Sequence, residues 1–309
     1  MTHEAAIAAP TSAGQTLPVR LGVIDYLNVV PVYDWLLQRS AESSLPGIET
    51  AAGTPAQMNR ALLSGVIDIS NVSSVAFGEH ADEWLLLPHL SVAAHGRVDS
   101  VLLFSWHDDW RALNGHSIAL TDHSATSVAL VKLLAERRYG IQPRYVTQPS
   151  DLDAMLTEHD AALLIGDIAL REGYLRRAVA GRGQPFVFDL ATEWQAWTGL
   201  PFCFSVWAAR AKRAGAITAS DVVRLLHASR EHGIADMDRL AREAASRLDL
   251  PVAVCDRYLR LLDYDLGPPD IEGLRHFLEL AVPGFRWADV RFIGDTKESA
   301  QADFVAEGH

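Results

Sequence analysis

Short apolar runs that break into a polar turn and then into a segment of helical spacing recur along this chain. Such a chain folds as strands alternating with helices around parallel sheets. Val19 to Ile24 reads as a buried strand; Asp25-Tyr26-Leu27-Asn28 breaks it, and Pro31 heads the apolar-periodic segment Val32 to Leu37, as Pro does in a first helical turn. Ser117 to Leu120 leads through Thr121-Asp122-His123-Ser124-Ala125-Thr126-Ser127 into the helix Val128 to Leu134, and Ala161 to Ile165 leads through Gly166-Asp167 into Ile168 to Arg176. Earlier, Thr54 caps and Pro55 opens a helix over Ala56 to Leu63, Gly65 stops it, and Val66 to Ile69 forms a strand ending in the turn Ser70-Asn71-Val72-Ser73-Ser74. The fold class is therefore α/β. Open sheets of this class bind ligands beyond the carboxyl ends of their strands, so the polar turns are where function is expected.

A chain of 309 residues has room for two such units. Trp84 to Leu87 and Ser100 to Ser105 supply further strands, and the irregular, polar stretch Ala93 to Asp99 between them suits a crossing between lobes. Pro201 to Ala209 reads as a strand leading out of the second lobe; helices are expected near Ser220 to His232, Asp236 to Leu248 and Asp270 to Leu280. The expected organisation is two lobes around a ligand cleft. Residues 19–99 and 208–290 form lobe 1, residues 100–207 form lobe 2, 1–18 form a flexible leader and 291–309 a C-terminal tail.

Charge and motifs narrow the partners. Lys and Arg total 27 against 39 Asp and Glu, a net charge of -12, which disfavours nucleic acid and anionic membranes. A few inward donors can still make a cleft attractive to a small anion. No stretch is apolar for long enough to span a bilayer. The first residues lack the basic opening and apolar core of a secretory signal, so a cytoplasmic location is expected. Cys203 and Cys255 have no metal-like spacing, the 12 histidines are scattered, and no glycine-rich nucleotide motif is present. Neither a metal nor a cofactor is expected.

The side chains suited to an anionic ligand are mostly neutral. Asn28, at the mouth of the first strand, can donate and accept hydrogen bonds without adding charge. In the turn Thr121 to Ser127, hydroxyls meet the free amides and dipole of a helix start, which favours a carboxylate or phosphate. Ser124, Thr126 and Ser127 are candidates there, with Asp122 expected to face away. Ser70, Asn71, Ser73 and Ser74 form a second cluster of the same kind; Ser100 at the crossing, Asp167 at a strand end and Arg97 as a neutralising cation complete the set. Trp194, Trp197, Phe202, Phe204 and Trp207 read as packing, with stacking on an unsaturated ring as the alternative.

Taken in order, several segments resemble the chorismate dehydratase family of the futalosine route to menaquinone, over roughly residues 19 to 290. They are Ile24-Asp25-Tyr26-Leu27-Asn28-Val29-Val30-Pro31, Gly53-Thr54-Pro55-Ala56-Gln57-Met58-Asn59, Ile67-Asp68-Ile69-Ser70-Asn71-Val72-Ser73-Ser74 and Ser100-Val101-Leu102-Leu103-Phe104-Ser105. Thr121 to Ser127, Leu164-Ile165-Gly166-Asp167 and Leu200 to Ala208 extend the match. The resemblance implies a two-lobed fold like that of type II periplasmic solute-binding proteins, used as a cytoplasmic enzyme. That enzyme removes water from chorismate to give 3-[(1-carboxyvinyl)oxy]benzoate, without a cofactor.

The resemblance gives Asn28 and Ser100 the catalytic places. Asn28 is to contact the leaving hydroxyl, while Ser100 and the hydroxyls of Thr126 and Ser127 hold carboxylates. The enolpyruvyl carboxylate of the substrate is to take the proton itself. Asp25 departs from the family's pattern, in which a polar uncharged residue is common; an inward carboxylate would repel chorismate, so Asp25 is expected outside the first layer of contacts. A homodimer is compatible with this reading. The alternatives are the sister family that makes dihydroxynaphthoate and a noncatalytic binding protein for a small carboxylate; the Ile-Asp-Tyr-Leu-Asn and Leu-Leu-Phe-Ser patterns favour the dehydratase.

Overall fold

The computed structural model describes residues 17–42, 45 and 47–294. Most of the expected leader and tail, residues 1–16 and 295–309, lies outside the described residues. The chain opens with the apolar strand β1 (Val19–Ile24), and a 3-10 turn over Leu27–Val29 leads into α1 (Val30–Glu42). β2 (Ile48–Gly53) and α2 (Pro55–Ser64) follow. Thr54 and Gln57 cap α2 reciprocally, and Gly65 ends it at φ 78°, a left-handed conformation that favours glycine. β3 (Ile69–Ser73), α3 (Ser74–Glu79) and β4 (Trp84–Ala94) complete this pass.

The chain then crosses and forms β5 (Val101–Ser105), β6 (Ser117–Thr121) and α4 (Ala125–Leu133), which runs on into a π-helical turn over Leu134–Arg138. β7 (Arg144–Gln148), α5 (Leu152–Glu158), β8 (Ala161–Ile165), α6 (Gly166–Leu175), β9 (Phe186–Asp189) and α7 (Leu190–Thr198) follow. The chain returns as β10 (Phe202–Arg210) and continues through α8 (Ala214–Ala219), α9 (Val222–Ala235), α10 (Met237–Leu248) and α11 (Val252–Leu261). The short β11 (Leu262–Asp263) and α12 (Pro268–Ala281) close it. Helix α9 packs on α1, and α12 packs on β10 and α3, so the C-terminal helices cover the first sheet.

The two sheets share one plan. Their strand orders are β11-β4-β10-β3-β1-β2 and β7-β6-β8-β5-β9. In each, three parallel strands are followed by one antiparallel strand, β10 or β5, that arrives directly from the other lobe. Each sheet is thus completed by a strand delivered across the crossing, which ties the lobes together with two connections. The return crossing falls earlier than the expected limit at 207: Phe202–Arg210 pairs with β3 and β4, with Phe202 opposite Ala94 and Trp207 opposite Asn71.

A second difference concerns Ser70 to Ser73, expected as a turn. They are strand β3, at the centre of the first sheet between β1 and β10. Their polarity is absorbed locally: Ser70 Oγ donates to Gly22 O at 3.2 Å, and Asn71 Nδ2 donates to Ser205 Oγ at 3.0 Å. A Cβ on Gly22 would stand 2.8 Å from Ser70 Oγ and 2.5 Å from the Ile67 side chain, so the close packing here needs a glycine.

Candidate functional site

A cavity of about 190 Å³ lies between the lobes and is lined from both. Helix starts converge on it. Asn28 and Val29 come from the 3-10 turn before α1, Pro55 and Ala56 from α2, Ser73 from the cap of α3, Ser124, Ala125 and Ser127 from α4, and Gly166 from α6. Helix starts present the positive end of the helix dipole, which favours an anion, while the Asp122 carboxylate in the same lining opposes one. No lysine or arginine is among its lining residues; one face is apolar, with Ile24, Val92, Val101, Phe204 and Leu262.

Six of the side chains singled out in the sequence line this cavity. Asn28 Oδ1 is buried with no hydrogen-bond partner among the described residues, and so is Oδ1 of Asn59, which lines the same cavity. Asn71 donates to Ser205 Oγ and to Val206 O. Ser73 caps α3 by accepting from the Ala76 N–H at 3.3 Å, and Asn59 Nδ2 reaches its hydroxyl at 3.4 Å. Ser124 accepts from the Ser127 N–H at 3.1 Å and donates to Ser127 Oγ at 3.0 Å. Ser100 Oγ accepts from the Tyr258 hydroxyl at 3.0 Å.

The other five stand elsewhere, each because its polar atom is already engaged. Ser70 is buried against Gly22, and Ser74 Oγ donates to Cys203 O at 2.7 Å. Thr126 is 1% exposed, and its hydroxyl accepts the Val75 N–H of α3 at 3.1 Å, across the cleft. Asp167 also bridges the lobes: Oδ1 accepts from the Leu27 N–H at 3.2 Å, and Oδ2 meets Arg247 at 3.2 Å. Burial pushes the Asp167 carboxyl above its usual range, against the opposing pull of that N–H and of Arg247. Arg97 pairs with Asp99 and lines a different, larger concavity of about 310 Å³, where Arg176, Arg257, Asp189 and Glu193 bring both signs of charge.

Asp25 is 84% exposed, paired with Arg247, and lines no part of the cavity. Asp122, expected to face away, does line it, with its carboxylate 3.3 Å from His123 Nε2. His123 and Tyr26 were not legible as site residues. The Tyr26 hydroxyl lies 3.3 Å from His123 Nδ1 across the cleft, and burial, then Asp167 and Asp122, raises its pKa. Of the aromatic group, Phe204 lines the cavity, while Trp194, Phe202 and Phe277 pack edge to face in the core. Burial pushes the thiol of Cys203 up, which fits a core residue. His107 with His116 and Asp160, and His95 with Asp263 and Asp270, are spaced as metal ligands could be, and both groups lie outside the cavity.

The fold is that of the periplasmic binding proteins. A protein of Archaeoglobus fulgidus superposes with a TM-score of 0.67 at 19% identity, over 85% of this chain and 96% of that one. The periplasmic aliphatic sulphonate binding protein SsuA of Escherichia coli gives 0.61 at 16% identity, over 86% and 87%. A Candida albicans protein described as having the generic periplasmic binding protein fold gives 0.55 at 13%, over 86% and 90%. In sequence, the chain is 36% identical over 274 residues to the chorismate dehydratase of Thermus thermophilus, covering 85% of this chain and 94% of that relative. It is 28% identical over 195 residues to the chorismate dehydratase of Campylobacter jejuni, covering 62% and 68%. A family model described as menaquinone biosynthesis matches residues 19–283, which spans both sheets and every helix start around the cavity. By that match and by the Thermus likeness over nearly the whole relative, the chain belongs to the menaquinone biosynthesis family.

Proposed function

We propose that this chain is a chorismate dehydratase, converting chorismate to 3-[(1-carboxyvinyl)oxy]benzoate and water on the futalosine route to menaquinone, in the cytoplasm. The observation that carries the reading is the cavity itself: a ring of helix starts and hydroxyls around an apolar face, with the amide oxygen of Asn28, unpartnered among the described residues, in its lining. Chorismate asks for those three things, being a dianion with an unsaturated ring and one ring hydroxyl. The 36% identity to the Thermus enzyme supports the same substrate. Among the described residues no helix is long and apolar enough to cross a membrane.

The reaction is a 1,2-elimination. The C3–H bond breaks and its proton goes to a carboxylate; that electron pair forms the new ring double bond, and the C4–O bond breaks with its electrons leaving on oxygen. The leaving hydroxide then takes the proton from that carboxylate to become water, which restores the carboxylate, and the ring is aromatic. Aromatisation drives the step, so the protein's task is orientation and stabilisation of charge. In this reading Asn28 Oδ1 accepts a hydrogen bond from the C4 hydroxyl in the ground state and its amide N–H supports the oxygen as it leaves. At the α4 start the Ser127 hydroxyl, which accepts from Ser124 and keeps its own proton, holds a carboxylate, with Ser100 beside the second. Phe204 and the valines bear on the ring.

The test is incubation of the purified protein with chorismate alone, following substrate loss and formation of the aromatic ether by mass and ultraviolet absorbance. Conversion to a product lighter by one water is expected. Retention of unchanged chorismate would move the chain to the noncatalytic reading.

A further inference from the structure

Ser100 ends the crossing, one residue before β5, and its position is fixed from several sides. Its carbonyl accepts from the Gly166 N–H at 2.7 Å. Asp99, just before it, is buried and held at φ 62°, where a residue with a side chain is strained. The N–H groups of Val98 and Asp99 both donate to Asp189 Oδ2, at 2.9 and 2.7 Å, and the Asp99 carboxylate pairs with Arg97 and, at 3.5 Å, with Arg257. A strained turn tied this many times sets the direction of the side chain that follows it.

Tyr258 of α11 sets the direction of that side chain's proton. The Tyr258 ring is 0% exposed, and Ser100 Oγ, at 3.0 Å, is its one polar partner among the described residues. If Ser100 donated to the phenol instead, the phenol proton would be buried with nothing to accept it, which proteins avoid. Tyr258 therefore donates and Ser100 accepts. Burial pushes the phenol far above its ordinary range, so it keeps that proton. Ser100 Oγ has no second partner among the described residues, and its own hydrogen is left to point away from the phenol, into the cavity that Ser100 lines.

We infer that Tyr258 is a positioning residue, locking the Ser100 hydroxyl as a one-way donor to a carboxylate oxygen of the bound substrate. A carboxylate offers only acceptors. A freely turning serine would present its lone pairs to that anion for part of the time, whereas the locked rotor presents its proton. Tyr258 touches no substrate in this arrangement, because it is not among the residues lining the cavity.

The inference rests on the dehydratase reading and is tested by a double-mutant cycle on chorismate turnover. Tyr258→Phe in the parent is expected to lower kcat/KM about tenfold, as loss of an oriented hydrogen bond to a charged group does. In the Ser100→Ala background the same change is expected to lower it less than twofold, because there is no hydroxyl left to orient. Equal losses in both backgrounds would assign Tyr258 to packing alone and overturn the inference, as would an unchanged parent rate. Tyr258→Met, which fills the space without a hydroxyl, takes the same place in the cycle if Tyr258→Phe does not fold. A parent that leaves chorismate unchanged overturns the functional reading itself, and is distinguished by failing before any variant is compared.

Discussion

Asn28 shows how much a single residue can carry by being neutral. Its buried Oδ1 has no partner among the described residues, and a position that desolvates an acceptor without pairing it is unfavourable unless a ligand supplies the donor. Asn28→Ala should lower kcat by about a hundredfold or more and raise KM by much less, because the ground-state bond to the hydroxyl is neutral whereas the support to the leaving oxygen grows as its charge develops. Steady-state kinetics on chorismate separate the two parameters; a raised KM with an intact kcat would reduce Asn28 to a binding contact. Its place in the cavity lining was legible because it ends the Asp25-Tyr26-Leu27-Asn28 break after the first apolar run. Tyr26 and His123 were not, since their pairing joins positions 97 apart in the chain that meet only when the lobes do. Arg97 stands away from this cavity for a reason a sequence does not display, since Asp99, two residues on, pairs with its charge.

At the scale of elements, sequence reading succeeded where local chemistry decides and failed where neighbours do. The capped helix α2 follows from Thr54, Pro55 and Gly65, to which the structure adds the reciprocal cap of Gln57. β3 does not: serines and an asparagine are poor strand formers by themselves, and they are strand here because β1 and β10 flank them and satisfy their side chains. The same shift hid α3, and with it the place of Thr126. That hydroxyl supplies the acceptor for an N–H in the first turn of α3, joining α3 to α4 across the cleft. Thr126→Val should leave the Val75 N–H buried and unpaired and reduce stability by about 1–3 kcal/mol. Denaturant unfolding measures this, and a variant as stable as the parent would mean that the N–H finds another acceptor.

Over the whole molecule, polar contacts join the two lobes, and Asp167 makes two of them. Its two oxygens take the Leu27 N–H and Arg247, and Arg247 from α10 also reaches Asp25 at 2.9 Å. Burial outweighs these partners and raises the Asp167 pKa above its ordinary 3.8. The folded chain therefore binds this proton more tightly than the unfolded one. Below pH 3.8 both states are protonated and the contribution of the group is constant; as pH climbs from 3.8 through the raised value, the unfolded state ionises first and stability falls. Above the raised value the contribution is constant again, at its lower level. Asp167→Asn keeps an acceptor for the Leu27 N–H but has no proton to lose, so the stability of the parent relative to this variant should decrease as pH rises through that window. Paired thermal unfolding curves across mildly acidic pH read this difference directly. A difference that instead grew with pH would mean that the ion pair with Arg247 outweighs burial.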